Sequence, residues 1–154
     1  NQLYINEVKN LVNDSKFVTI DKPLQNFGIV SYNNNISTIN DIIKGENSVI
    51  YFWSTAFMSS DYLVNRIKFL ESNYPNTLFI GINMQTSTED ITTEPNLKLL
   101  DITKQFKLTK ESFAHNYLTS KRPRTIIINS DGIVKNGFTY LDSKKLSSEL
   151  DKLK

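Results

Sequence analysis

The chain contains no cysteine. That absence rules out disulfide bonds, thiolate nucleophiles and zinc sites built on sulfur, and it removes the usual clue to compartment. Histidine is nearly absent too: His115 stands alone, so neither a multi-histidine metal cage nor a two-histidine zinc motif can form. Oxygen-ligand metals stay open in principle, but there is no EF-hand loop, and no metal or cofactor is expected. Charge of one sign is also missing. Eighteen Lys and Arg against sixteen Asp and Glu leave a net charge of +2, too small to imply nucleic acid or an anionic membrane surface as a partner. No apolar run approaches the roughly eighteen residues needed to span a bilayer, so no membrane insertion is expected within this chain. The amino terminus lacks the basic-then-apolar pattern of a signal peptide, and any signal or anchor of the natural protein is expected upstream of Asn1. Lysine far outnumbers arginine and asparagine is abundant, a bias we attribute to AT-rich coding rather than to function.

What is present fits one domain of 154 residues with ordinary apolar and charged content, large enough to bury a core unaided. Leu3, Tyr4, Val8, Leu11 and Val12 recur at helical spacing, which predicts an amphipathic helix ending near Asn13-Asp14-Ser15; residues 1–16 form an amino-terminal helical extension and 17–154 the domain proper. Residues 27–32 and 36–39 flank three asparagines and read as a hairpin, followed by a short helix over 40–44 that stops at Gly45. Residues 48–53 are a continuous apolar run, the mark of a strand covered on both faces. Leu63, Ile67, Leu70 and Tyr74 line one face of a helix over 59–73, with Ser59 or Ser60 as N-cap and Asp61 favourably placed in its first turn. Residues 78–84 are the next buried strand, and strand-helix-strand order predicts parallel pairing. Residues 85–94 read as a polar loop, Leu97, Leu100 and Phe106 as a helix after Pro95, and 109–118 as another burying Phe113 and Tyr117. Residues 125–129 and 133–140 around Ser130-Asp131-Gly132 form an antiparallel hairpin. Asp142 or Ser143 caps a last helix whose inner face is Leu146, Leu150 and Leu153.

Function is expected where the strand over 48–53 turns into the helix after it, because an α/β sheet binds ligands at the carboxyl ends of its strands. That turn, Ser54-Thr55-Ala56-Phe57-Met58-Ser59-Ser60, offers hydroxyls, a thioether and an aromatic ring, but no thiol, imidazole or carboxylate before Asp61. Serine catalysis would need a base within hydrogen-bond reach. Only His115 could supply an imidazole, so the hydroxyls read as caps and turn formers.

The wording around the turn is closer to one family than the element order alone. Phe52-Trp53-Ser54-Thr55-Ala56-Phe57-Met58-Ser59-Ser60 resembles the active-site segment of the TlpA-like thioredoxins of the bacterial envelope, where Phe-Trp-Ala-Thr-Trp leads into Cys-x-x-Cys. Arg122-Pro123-Arg124-Thr125, with residues 126–129 and Asp131-Gly132, resembles that family's proline strand and hairpin. The resemblance implies a three-layer α/β sandwich of thioredoxin type, a mixed central sheet with helices on both faces, extracytoplasmic placement, and a cis peptide bond before Pro123 beside the site. It also implies dithiol chemistry, which this chain cannot perform, since Phe57 and Ser60 stand where the two cysteines would be. A serine hydroxyl neither attacks nor forms a disulfide. The resemblance then leaves a groove for an extended protein segment, lined by Trp53, Phe57, Met58, Ser60, Arg122 and Pro123. Phe57 either points out to join Trp53 and Pro123 in an apolar patch or points in to fill space. Lys121, Arg122 and Arg124 form a small basic cluster beside it. The alternatives are an oxidoreductase inactivated by loss of its cysteines and a structural module of a longer envelope protein.

Overall fold

A computed structural model describes residues 1–6, 8–9, 18–85, 91–115 and 124–153. Strands Gly28–Ser31 (β1), Ile36–Thr38 (β2), Ser48–Trp53 (β3), Leu78–Asn83 (β4), Gln105–Leu108 (β5), Arg124–Ile128 (β6) and Val134–Thr139 (β7) are interleaved with helices Ile39–Ile43 (α1), Ser60–Asn73 (α2) and Lys144–Lys152 (α3). The strands form one mixed sheet in the order β2-β1-β5-β4-β3-β6-β7. β3 lies at its heart, parallel to β4 and antiparallel to β6, and every residue of β3 is buried.

Because side chains alternate along a strand, β3 feeds two cores. Ile50 and Phe52 face one side, with Ile39 and Ile43 of α1, Phe27, Ile126 and Ile128. Val49, Tyr51 and Trp53 face the other, with Leu63, Val64, Ile67 and Leu70 of α2 and Leu146 and Leu150 of α3. Helices therefore cover both faces, and each buried aliphatic side chain on α2 contributes about 1.5–3 kcal/mol relative to exposure. The punctuation works as expected. Asn34 takes φ 62 in the β1–β2 turn, Gly45 φ 79 after α1 and Gly132 φ 80 between β6 and β7, and Ser143 Oγ accepts the Lys145 N–H at 3.1 Å to cap α3.

Three expectations fail on the ground between β4 and β6. Leu97 opens a short 3-10 turn, Leu97–Leu99, that Leu100 ends in extended conformation, and a second such turn, Ile102–Lys104, follows in place of an α-helix. Phe106 lies on β5, a strand that pairs parallel to β4 and antiparallel to β1. Phe113 opens a single 3-10 turn, Phe113–His115, with its ring edge-on to Phe27 at 6.3 Å. Tyr117, Leu118 and half of the polar loop, residues 86–90, lie outside the described residues. At the amino terminus, residues 2–6 and 8–9 are helical with Leu3, Tyr4 and Val8 exposed, while Leu11, Val12 and the expected helix end fall outside the described residues.

Candidate functional site

The parallel strands β3, β4 and β5 end on one side of the molecule, where α2 begins, and β6 starts there because Arg124 pairs with Phe52. The turn between β3 and α2 is closed by its own backbone. The Ser54 carbonyl accepts N–H groups of Phe57 at 3.0 Å and Met58 at 3.3 Å, and Ser54 Oγ accepts the Ala56 N–H at 3.2 Å. From β4 comes a clamp: Gln85 Oε1 accepts both the Thr55 N–H, at 2.9 Å, and the Thr55 hydroxyl. Gln85 is held in turn by Asn83, whose Oδ1 accepts the Gln85 N–H at 2.8 Å and whose Nδ2 donates to the Tyr32 hydroxyl at 2.9 Å.

Beneath the turn lies a second polar unit inside the core. Trp53 Nε1 donates to Gln105 Oε1 at 3.0 Å, and Gln105 Nε2 donates to the Tyr51 hydroxyl at 2.7 Å. Burial pushes the Tyr51 phenol well above its ordinary range, only partly offset by the Gln105 hydrogen bond. The Gln105 carboxamide fits because Gly81 has no side chain: a Cβ there would stand 2.7 Å from Gln105 Nε2 and 2.8 Å from Cδ. A lone glycine inside a buried strand signals such an approach.

The six groove candidates separate on this frame. Phe57 points out and is 50% exposed. Met58 is partly buried against the α2-side core. Trp53 is only 2% exposed, so it supports the turn from below and does not join a surface patch, a correction that follows from its place in the inward register of β3. Ser60 is the first residue of α2, and its hydroxyl donates to Glu94 Oε1 at 3.2 Å and accepts from Asn96 Nδ2 at 3.2 Å. The other Glu94 oxygen accepts the Leu97 N–H at 2.7 Å, so Ser60 clasps the segment around residue 94 to the helix start. Arg122 and Pro123, with Lys121 and the expected cis bond, lie outside the described residues.

Arg124 departs furthest from expectation. It does not join a surface basic cluster beside the groove but is 1% exposed. Its place on β6 puts it on the same face as Ile126 and Ile128, with Nε donating to the Gly137 carbonyl at 2.9 Å and the guanidinium 4.0 Å over the Phe138 ring. His115 is exposed, with Nε2 2.8 Å from the Thr109 carbonyl oxygen. At the start of α2, Ser59 donates to Asp61; this bond, with the Tyr62 amide, lowers the Asp61 carboxyl below its usual range. The helix start therefore carries its own carboxylate. Hydroxyls at this site close the turn, clamp and clasp, while Ser59, the N-cap residue of α2, makes no capping bond with its side chain. Two clefts of about 300 Å³ open elsewhere: one around Tyr74, Pro75, Leu150 and Leu153, the other around Pro23, Asp41 and Asp131.

Among the described residues no group of three or more histidine, aspartate or glutamate side chains is placed to hold a metal ion, and no helix is long and apolar enough to cross a membrane. No protein-family model matches the chain, and no curated protein matches its sequence. Solved structures do match. A candidate thiol-disulfide oxidoreductase from Bacteroides vulgatus superposes with a TM-score of 0.68 at 16% identity, over 89% of this chain and 98% of its own. A candidate thiol:disulfide interchange protein from Chlorobium tepidum gives 0.68 at 14% identity, over 88% and 98%. A thioredoxin-like protein from Bacteroides caccae gives 0.68 at 10% identity, over all of this chain and 57% of its own. Likeness at these identities establishes the fold: the chain is a thioredoxin-like α/β domain, and it lacks cysteine altogether.

Proposed function

We propose that this chain is a redox-inactive thioredoxin-like domain that works as an interaction module, holding an extended protein segment at the turn over residues 54–60. The observation that carries the reading is Phe57, half exposed at the tip of a turn that is otherwise pinned from four directions. An outward aromatic ring on a pinned backbone loses little conformational freedom on contact, the property that makes such rings anchors in interfaces. Met58 flanks it and Trp53 braces it; Ser60 edges it, and Arg122 and Pro123 complete the groove in this reading. With no thiol at positions 57 and 60, contact ends in binding rather than exchange. The domain boundary near residue 17 and placement in the bacterial envelope, which the motif resemblance implies, belong to the same proposal.

The test is selection from a displayed library of random peptides by the full chain and by a Phe57→Asp variant whose circular dichroism matches it. Peptides that bind the parent and lose at least tenfold on the variant support the groove. Equal enrichment by both proteins refutes it. Catalysis of insulin reduction or peroxide turnover by the unmodified chain refutes the non-enzymatic half of the reading.

A further inference from the structure

Residues 18–24 pair by main-chain bonds with the first residue of β7, Val134, and with Gly132 and Ile133 just before it. Asp21 N–H donates to the Val134 carbonyl at 2.8 Å, Val134 N–H to the Lys22 carbonyl at 2.9 Å, and Leu24 N–H to the Gly132 carbonyl at 3.1 Å. Pro23 is bridged antiparallel to Ile133. At the far end Val18 is buried against Gly137, where a Cβ would stand 2.8 Å from Val18 Cγ1, so the glycine forms a notch for that side chain. Between these anchors Lys135 Nζ pairs with Asp21 Oδ1 at 2.9 Å.

We infer that residues 18–24 are a releasable strap over a strand-accepting edge of β7, an autoinhibitory contact that competes with an extended segment of another protein. The competing segment carries a β-branched residue for the Gly137 notch and an acidic residue three positions later for Lys135. The strap itself displays that chemistry, and it is lightly held. Only Val18 and Leu24 are buried, and residues 19–23 are exposed. Asp21 sits at φ 65, a left-handed conformation that a non-glycine residue adopts at a cost. The Asp21–Lys135 pair is solvent-exposed, where such pairs hold weakly. Segments of this kind open locally while the fold around them stays closed.

The edge beneath is what strand addition uses: main-chain groups supply the attraction and alternate side-chain sites the selectivity. Lys135 favours an acidic segment over a basic one. A second copy's β7 fits worse, because it brings its own lysine to a place that takes a carboxylate. Past the strap, Phe138 and Tyr140 are half exposed and extend the surface that a longer segment would cover. The turn at residues 54–60 takes no part in this contact, so either proposal can fail without the other.

Asp21→Pro in the full chain tests the strap without touching the edge, since proline fixes φ near −65° and removes the donated N–H. The probe is a fluorescein-labelled synthetic peptide of residues 18–25, with a second peptide carrying Asp21→Lys as control. The released variant is expected to bind the first peptide at least tenfold more tightly than the unmodified chain and the control at least tenfold more weakly. Amide exchange at Val134 should accelerate at least tenfold while the amides of β6 remain protected. Unchanged exchange at Val134 overturns the releasable strap. Fast exchange without peptide binding overturns the accepting edge, and dimerisation of the variant without peptide, seen by light scattering, overturns the choice of occupant. If Asp21→Pro loses β6 protection, Val18→Asp carries the same readouts.

Discussion

Replacing Gly81 by alanine should be among the most damaging single-methyl changes in this chain. The new Cβ would lie 2.7 Å from Gln105 Nε2 and 2.8 Å from its Cδ, closer than real carbon contacts allow, so the buried carboxamide must leave. Trp53 Nε1–H then loses its acceptor at 3.0 Å, and the Tyr51 hydroxyl its donor at 2.7 Å. Each buried polar group left unpaired costs about 1–3 kcal/mol, and forced repacking adds about 1–3 kcal/mol. Exchanging glycine for alanine in the unfolded chain returns roughly 0.5–1 kcal/mol. With two groups orphaned the net is about 2–8 kcal/mol, a large share of the roughly 5–15 kcal/mol that holds a domain of this kind together. Gln105→Ala orphans the same two groups and should cost about 2–5 kcal/mol. The combination decides the matter. In the double variant the alanine methyl enters space that the glutamine has vacated, and the orphaned groups are counted once, so the cost should barely exceed that of Gln105→Ala. The coupling is then nearly as large as the Gly81→Ala cost itself. Urea unfolding followed by the fluorescence of Trp53, the sole tryptophan, measures all four corners of the cycle. Additive costs, or a Gly81→Ala cost under about 1 kcal/mol, would refute the reasoning.

Ser60→Ala removes the clasp on Glu94 and Asn96 and should cost about 1 kcal/mol, with faster amide exchange at Leu97; an unchanged Leu97 amide would mean the clasp holds nothing. Phe57→Cys with Ser60→Cys should produce a pair that links on oxidation, read as the loss of two thiol-reactive labels, and a pair that stays unlinked would count against the alignment of this turn with Cys-x-x-Cys. Asp61, lowered by the Ser59 hydroxyl and the Tyr62 amide, adds stability that is present above the ordinary carboxyl value of about 3.9 and lost as pH falls below it; Ser59→Ala should flatten that acid limb in a pH series of melting temperatures. Tyr51 has the opposite sign. Its raised phenol leaves stability intact up to about pH 10 and erodes it as pH rises further, a limb that Tyr51→Phe should abolish.

Much of the fold was legible because its strongest signals are local. The apolar run of β3, the spacing of Leu63, Ile67 and Leu70, and the asparagine and glycine turns each dictate an element without help from afar. β5 was hidden for the opposite reason. Four residues long, it turns a polar side chain, Gln105, into the core and an exposed Lys107 between two buried neighbours, and the payoff for burying Gln105 comes from Gly81, Trp53 and Tyr51, far away in sequence. Leu97 and Leu100 misled because a 3-10 turn, at three residues per turn, satisfies the same spacing as an α-helix. The charge of Arg124 alone is a poor guide to its place. Its register with Ile126 and Ile128 already placed it on a buried face, and the aromatic ring that receives it, on Phe138, belongs to the next strand.

The sequence singles out the turn over residues 54–60 without describing it, and the difference bears on how a turn without cysteine keeps its shape. Nothing in the geometry of residues 54–60 depends on a thiol. The turn is closed by the Ser54 carbonyl and hydroxyl, held from β4 by Gln85 and braced from below by Trp53 through Gln105. If residues 57 and 60 answer to the dithiol positions, as the motif resemblance implies, their substitution removes reactivity without removing shape. What stands there instead differs in kind: Ser60 turns inward to clasp Glu94 and Asn96, while Phe57 turns outward. A ring that merely filled a vacated space would have been buried beside Met58, which does pack against the core. One exposed phenylalanine needs no explanation on its own. One carried on a pinned backbone at the tip of the turn, with the polar groups around it already paired among themselves, leaves apolar contact as the interaction this turn is best equipped to make.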